Sequence, residues 1–299
     1  MGKSNKCMIC DNNIRVISNI TREGSCNVFK CNSCEFVFLD NNTSLPNYTD
    51  SYRSQIYANN WSLEESMVKR CDSLKKSIDK IDIILKTNSL QTILEIGSGV
   101  GACIYGLKKR KSYNIDAVEP NVEYQRWLGK CFKGVKIYSD ISQINQKYDL
   151  IFGLHVFEHL RNPYEYLRSL STISRKKTRL YLEFPNYDDF YKCTLKDGPL
   201  ENYSKFMFHN AHPYYYSIKS FKKLIEKTEW EIVHIETIQE YSILNYFNWF
   251  FLGTPMKDIE EATIITEDLN ELNGLFQKMI EKKHNGNSIS CILKLRNES

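Results

Sequence analysis

No apolar run in this sequence is long enough to cross a bilayer. The most apolar stretch, 241–253 (YSILNYFNWFFLG), is 13 residues long and holds two asparagines, whereas a spanning helix needs about 20 apolar residues. It is expected to be a buried segment or a wall facing a substrate. The opening residues MGKSNKCMIC contain no apolar core for a signal peptide, and Lys6 stands where a myristoylation signal needs Ser or Thr. A cytoplasmic protein is expected. A charge excess is also missing: 40 basic residues face 36 acidic ones, leaving +4, too little to argue for a nucleic-acid groove. With 42% hydrophobic and 25% charged residues among 299, disorder and fibrous repeats are excluded. The length suits one catalytic domain and an accessory module.

Cysteine is plentiful but clustered. Five of the ten, Cys7, Cys10, Cys26, Cys31 and Cys34, lie within the first 34 residues. Cys7-Met-Ile-Cys10 and Cys31-Asn-Ser-Cys34 are two CxxC knuckles separated by twenty residues, the spacing at which two short hairpins bring four thiolates onto one tetrahedral ion. In a reducing compartment the pairing points to zinc rather than disulfides. With all four positions filled by protein, the zinc is structural, and it would supply much of the folding free energy of so small a module. Cys26 is read as a spectator.

Three regions are expected: a zinc ribbon over 1–40, a Tyr-rich linker or lid and a helix over 41–88, and a catalytic domain over 89–299. Ser62 and Glu65 form a capping box, and Leu63, Met67, Cys71, Leu74, Ile78, Ile81 and Leu85 follow at helical spacing, predicting one helix over 62–86. From Gln91 onward, strands (QTILEI, YNIDAVEP, VKIYS, YDLIFGL, TRLYLEFP) alternate with helices, so the fold class is α/β with helices on both faces of a largely parallel sheet. Asn162-Pro163 opens one of those helices as cap and first turn. Insertions at about 187–216 and 241–286 belong to a substrate pocket.

Leu94-Glu95-Ile96-Gly97-Ser98-Gly99-Val100-Gly101 follows a strand and opens a helix, where glycines let a backbone approach a ligand. Gly97, Gly99 and Ala102 also satisfy a dinucleotide pattern, and Glu119, ending the next strand, could hold an adenosine ribose in either case. No GK[ST] follows, which excludes a Walker loop. Three features favour S-adenosylmethionine over a nicotinamide. Glu95 would repel a pyrophosphate, Gly101 permits tight packing against a sulfonium-bearing amino acid, and Asp140, ending the third strand, can accept a bond from an adenine amine.

The run LEIGSGVG, AVEP, YSD, YDLIFGLHVFEHLRNP, LYLEFPN and HPYYYSIKSFKKLIEKTEWEIV resembles the class I S-adenosylmethionine-dependent methyltransferases, from Gln91 to the C-terminus. The resemblance implies a seven-stranded Rossmann-like methyltransferase sheet, cofactor contacts from Gly97, Gly99, Glu119 and Asp140, and a supporting role for Glu95. The cysteine ribbon and Tyr-rich linker look like the zinc-containing subgroup of sugar C-methyltransferases and of surface-polysaccharide and natural-product enzymes. Those C-methyltransferases carry a further C-terminal domain that this sequence lacks, which turns the expectation toward O-methylation.

Four of the six histidines fall in two groups, His155-Val-Phe-Glu158-His159 and His209-Asn-Ala-His212. The HxxEH pattern follows a strand directly, so an inverted zinc-peptidase helix is rejected. In one reading His155 packs beside the cofactor while Glu158 and His159 cap the next helix. In the other, the resemblance extends to O-methyltransferases of ubiquinone biosynthesis and small-RNA 3′ ends, which bind a divalent ion through ExxEH here. His155 in place of the first Glu favours an ion softer than magnesium. The candidate catalytic set is His155, Glu158, His159, His209 and His212, with His155 first as proton acceptor. The two groups follow the fourth and fifth strands, so they are expected to converge at one sheet edge. The expected acceptor is a small molecule, a sugar or sugar nucleotide whose hydroxyl is methylated, with NYDDFY and HPYYYS offering polar contacts. C- or N-methylation, RNA methylation and a non-catalytic scaffold are the alternatives.

Overall fold

The computed structural model describes residues 6–40, 61–87, 90–195, 200–256 and 267–296; the linker or lid read over 41–60 lies outside them. Near the N-terminus, β1 (Ile14–Thr21) and β2 (Gly24–Cys31) form a hairpin, and β3 (Val37–Leu39) pairs antiparallel with β2.

Two helices stand where one was expected. The capping box is present: Ser62 Oγ accepts the Glu65 N–H at 3.2 Å and the Glu65 carboxylate accepts the Ser62 N–H at 2.8 Å. Helix α1 (Leu63–Ser73) nevertheless ends at Leu74, and α2 (Lys75–Thr87) follows at once. The reason lies in α3 (Ala102–Arg110). A Cβ on Gly106 of that helix would sit 2.8 Å from Ile78 Cδ1 and 3.0 Å from Cys71 Sγ, so α3 presses into the joint and both halves bury their apolar sides against it.

The central strands come in the order the apolar runs predict: β4 (Thr92–Ile96), β5 (Asn114–Val118), then helix α4 (Val122–Cys131), β6 (Ile137–Tyr138) and β7 (Tyr148–Leu154). Helix α5 (Pro163–Thr172) leads to β8 (Ser174–Pro185). The first insertion supplies α6 (Phe190–Thr194), α7 (Leu200–Met207) and the two-residue β9 (Tyr214–Tyr215). There follow α8 (Ile218–Ile225), β10 (Trp230–Ile238), α9 (Ile243–Leu252), α10 (Glu267–Lys282) and β11 (Ser288–Leu295). The large sheet has the order β10-β11-β8-β7-β4-β5-β6, with β11 antiparallel to both neighbours. This is the seven-stranded Rossmann-like methyltransferase sheet that the resemblance implied. The chain runs outward from β4 in both directions, so the crevice between the C-terminal ends of β4 and β7 is the switch point where such sheets bind ligands.

The second sheet is less expected. Its order is β1-β2-β3-β9, so the cysteine ribbon takes its fourth strand from the first insertion. One core cluster joins Cys7, Ile9, Cys34 and Phe36 to Leu94, Ile151, Phe184 and Phe221.

The apolar stretch 241–253 folds as α9, capped by Ser242 and ended by Gly253 in a left-handed conformation. It is not a buried segment. Only Asn245 and Trp249 are buried, and Phe247, Phe250, Phe251 and Leu252 face outward, Phe251 being 73% exposed. Among the described residues no helix is long and apolar enough to cross a membrane.

Candidate active site

β4 feeds directly into the glycine loop, where Gly97, Gly99 and Gly101 have φ of 69°, 51° and 84°. A Cβ at Gly97 would lie 2.5 Å from Val156 Cγ2, which puts the His155–His159 turn hard against this loop. A Cβ at Gly101 would lie 2.6 Å from both Leu128 Cδ2 and Phe132 Cε2. That glycine therefore lets α3 approach α4, a packing demand the sequence reading had assigned to the ligand side.

Glu119, fully buried at the end of β5, accepts the N–H groups of Gly99 (2.6 Å) and Asn121 (2.9 Å). Glu95 is buried in β4, and desolvation pushes its carboxyl up to about 8. Oε2 of Glu95 and Oγ of Ser98 are both buried without a hydrogen-bond partner. Unpaired buried polar atoms cost free energy, and two at a glycine turn suit a polar cationic ligand such as the methionine part of S-adenosylmethionine. Asp140 lies two residues beyond β6, exposed. It caps the 3-10 turn Ile141–Gln143 by accepting the Ser142 N–H at 2.8 Å, and the Ser142 side chain first and this N–H second hold its carboxyl below the ordinary range.

After β7, His155 takes a left-handed φ of 54° and its N–H donates to Glu183 O at 2.8 Å. The chain thereby turns into the 3-10 turn Phe157–His159, anchored by Phe157 among Phe184, Tyr216 and Phe221. Neither Glu158 nor His159 caps α5, because Asn162 accepts the Glu165 N–H there at 3.2 Å. Instead Glu158, 2% exposed, points into a ring of imidazoles. Its Oε1 lies 3.7 Å from His155 Nδ1, 3.9 Å from His159 Nε2 and 3.9 Å from His212 Nε2. The ring centroids of His159 and His212 are 4.6 Å apart, and those of His209 and His212 are 3.8 Å apart. The two histidine groups thus converge as the topology required. The separations from Oε1 are too long for direct hydrogen bonds, and Glu158 Oε2 is buried without a partner.

His159 Nδ1 meets Ala211 O at 2.7 Å, so the nitrogen facing a carbonyl carries a proton and Nε2 is the one turned to Glu158. On the far side, His155 Nε2 lies 3.7 Å from Glu183 Oε1, with Glu240 closing a second acidic group. Burial opposes a charge on His155, yet the carboxylates of Glu158, Glu240 and Glu183 outweigh it and hold the imidazole up to about 9. Burial drives His209 down to about 3 and His212 well below its ordinary value. With its imidazole held up to about 9, His155 favours the protonated form at neutral pH, which disfavours it as the base. His209 and His212 are neutral. Two sets of ligand atoms, Glu158-His159-His212 and His155-Glu183-Glu240, each lie within 4.8 Å of one another and could hold a divalent ion.

In the ribbon, Cys7 Sγ and Cys34 Sγ are 3.6 Å apart and Cys10 Sγ and Cys31 Sγ 3.4 Å, all four within 4.8 Å. The two knuckles are copies of one another. Cys7 N–H donates to Asn12 O and Cys31 N–H to Phe36 O, both at 2.8 Å, and Ile9 N–H and Ser33 N–H each lie 3.4 Å from the first sulfur of their knuckle. Asp11 and Glu35, each following the second cysteine, have φ of 56° and 63°. A hydrogen bond from Cys34 outweighs burial and lowers the Cys7 thiol to about 5. Four soft donors within 4.8 Å of one another, two pairs of them slightly inside the roughly 3.8 Å edge of a tetrahedron with 2.3 Å bonds, fit zinc.

The family model of a methyltransferase domain matches residues 69–235, more than half of the chain. The chain belongs to the S-adenosylmethionine-dependent methyltransferases. Among solved structures, a SAM-dependent methyltransferase from Archaeoglobus fulgidus is 18% identical, with a TM-score of 0.50, over 82% of this chain and 100% of that one. A plantazolicin methyltransferase solved with a desmethyl analogue and S-adenosylhomocysteine is 15% identical, TM-score 0.49, over 79% and 90%. A S-adenosylmethionine-dependent methyltransferase from Clostridium acetobutylicum is 13% identical, TM-score 0.46, over 75% and 92%. A search of curated proteins finds no match.

The methyltransferase corrects one expectation about substrate contacts. Tyr214, Tyr215 and Tyr216 are buried, as are Asn186, Tyr187, Asp189 and Tyr191. Tyr215 OH accepts the His209 N–H at 2.7 Å and Tyr214 OH donates to Arg161 O at 2.6 Å. HPYYYS and NYDDFY therefore line the core and fix the histidine segment. Two site residues escaped the sequence reading, Glu183 and Glu240. Glu183, fully buried on β8, accepts from Ser77 Oγ (3.0 Å) and Tyr181 OH (2.9 Å); a lone Glu inside the apolar run LYLEFP was the available signal.

Proposed function

We propose that this methyltransferase acts on a hydroxyl of a sugar, a nucleotide sugar or a related surface-polysaccharide precursor, with zinc held by Cys7, Cys10, Cys31 and Cys34. The observation that carries the reading is the convergence of His155, Glu158, His159, His209 and His212 beside the glycine loop. S-adenosylmethionine, when bound, supplies an electrophilic methyl on a sulfonium, so an alcohol needs in-line placement and a partner for its proton. His212 and His209 are buried, neutral imidazoles; burial disfavours their charged forms, so either accepts that proton only with Glu158 as counter-charge. Glu158, ringed by nitrogens, stabilises the imidazolium that results. His155 holds its own proton between Glu158 and Glu183 and orients both carboxylates. Gly97, Gly99, Glu119 and Asp140 are assigned to the cofactor, Glu119 to the ribose hydroxyls and Asp140 to the adenine amine. Resemblance of the ribbon to the sugar-pathway subgroup supports the acceptor class.

One observation favours a second role for the cluster: His159 Nε2 and His212 Nε2 each stand 3.9 Å from Glu158 Oε1, and one ligand atom from each of the three residues lies within 4.8 Å of the others. Glu158, His159 and His212 would hold a divalent ion there, which would lower the pKa of a bound alcohol.

The decisive experiment is incubation with S-adenosylmethionine and a panel of sugar nucleotides, read by mass spectrometry. Gain of one methyl on a sugar oxygen is expected. Methylation of a peptide or RNA in parallel incubations, with none of a sugar, overturns the reading.

Two cofactor predictions follow from the loop. Glu119→Ala should weaken S-adenosylmethionine binding by about 2–3 kcal/mol, the worth of a charged acceptor. Unchanged affinity by calorimetry would refute the assignment. Glu95, raised from about 4.3 to about 8, favours the protonated form at neutral pH before ligand is added. Its contribution to stability is present below about pH 4.3 and is lost as pH rises through about 8. A cationic ligand should expel this proton, so calorimetry at pH 7 in buffers of different ionisation enthalpy should register proton release with S-adenosylmethionine. Glu95→Gln should abolish it. Equal heats in all buffers for the unsubstituted protein would count against a cation beside Glu95.

A further inference from the structure

The ribbon reaches the histidine site with the end farthest from its cysteines. Its β1–β2 turn lies against the segment that carries His209 and His212. The Arg22 N–H donates to Phe208 O at 2.7 Å, and the Arg22 guanidinium donates from Nε to Phe206 O at 2.9 Å while lying 4.0 Å from the Phe206 ring centroid. Glu23 accepts the Asn210 N–H at 2.9 Å, and Thr21 Oγ1 donates to Asn210 Oδ1 at 3.2 Å. From the other side, the Leu39 N–H donates to Pro213 O at 3.0 Å, and β3 pairs with β9 at Val37↔Tyr215 and Phe38↔Tyr214. Asn210 stands between the two histidines, so the turn grips the segment between His212, whose Nε2 lies 3.9 Å from Glu158 Oε1, and His209, whose ring centroid is 3.8 Å from that of His212.

The body of the domain holds the segment at two further points, Tyr215 OH, which accepts the His209 N–H at 2.7 Å, and His159 Nδ1, which meets Ala211 O at 2.7 Å. Between α7 and the two-residue β9 its own backbone contributes one turn, His212 N–H to His209 O at 3.0 Å. A short loop of this kind samples many conformations unless other elements fix it. Displacing it would carry His209 and His212 away from Glu158 without touching β4, β5 or the glycine loop.

We propose that the cysteine ribbon is the positioning element of the acceptor site. Thr21, Arg22 and Glu23 are positioning residues that keep His209 and His212 against Glu158, and the metal at the opposite end keeps the hairpin rigid enough to do so. The inference rests on reading the histidine cluster as the site of reaction, but its test needs no acceptor.

The test uses the full-length, metal-loaded protein and follows hydrogen exchange over 206–216, with diethylpyrocarbonate modification of His209 and His212 as a second measure. In Arg22→Ala/Glu23→Ala, exchange over 206–216 should rise about tenfold or more and both histidines should be modified faster. S-adenosylhomocysteine affinity and exchange in β4 and β7 should not change. Glu23→Gln should keep the protection that Glu23→Ala loses, because the amide oxygen still accepts the Asn210 N–H. Chelating the ribbon metal from the unsubstituted protein should release the same segment. Protection of 206–216 that survives the double substitution overturns the proposal. So does loosening that spreads to β4 and β7, or a Glu23→Gln protein as loose as Glu23→Ala. A wrong acceptor class would appear only in the sugar-nucleotide incubations and would leave these readings as they are.

Discussion

Glu158→Ala should lower methyl transfer by about 10²–10⁴, the usual worth of assisted proton transfer, while S-adenosylhomocysteine binds as before. The carboxylate is 2% exposed and is the point on which His155, His159 and His212 all converge at 3.7–3.9 Å. Without it, the proton arriving on a neutral histidine has no counter-charge, and His155 loses a partner that holds its own proton. The same substitution should remove any Mn²⁺ binding at the cluster, read by electron paramagnetic resonance on protein whose ribbon is already filled. Transfer at the unsubstituted rate in Glu158→Ala would leave the cluster a structural element only.

A second large effect is expected at the cysteines. Cys34→Ser, or chelation under reducing conditions, should unfold the segment 6–40, because structural zinc in modules of this size supplies about 10–16 kcal/mol of apparent folding free energy and so short a chain has little core of its own. Elemental analysis should find about one zinc per chain. Phe36 packs with Tyr214 and Tyr216, at centroid distances of 5.5 and 5.3 Å, so the melting temperature of the whole protein should fall with it. Freshly reduced protein without zinc, or chelation that leaves melting unchanged, would remove the metal from the account.

Much of the large sheet was legible because parallel strands buried on both faces read as short continuous apolar runs, each closed by glycine, acid or Asn-Pro. The knuckles were legible because ligand spacing is local. What failed depended on contacts made at a distance. The break at Leu74 answers to Gly106, some thirty residues on in sequence, and a glycine inside ACIYGLKKR was its only trace. Strand β9 is two residues long and reads as a tyrosine run; its partner in the ribbon could not be guessed from either sequence alone. The histidines were found as a group, yet His155 was chosen first as the base. Glu158, the first carboxylate that holds its proton, stands inside HxxEH itself, but Glu240 and Glu183 come from beyond β10 and from β8, invisible to a reading of that motif in isolation.

The outward face of α9 also bears on how the protein behaves in concentrated solution. Phe247, Phe250, Phe251 and Leu252 offer aromatic and aliphatic carbon to water on a helix without a single charged side chain. Excluded salts such as sulfate raise the free energy of that exposed surface, whereas they act less on a polar one. Retention on phenyl resins and precipitation by ammonium sulfate should therefore draw on this face, and Phe251→Lys should lessen both without reaching the crevice between β4 and β7.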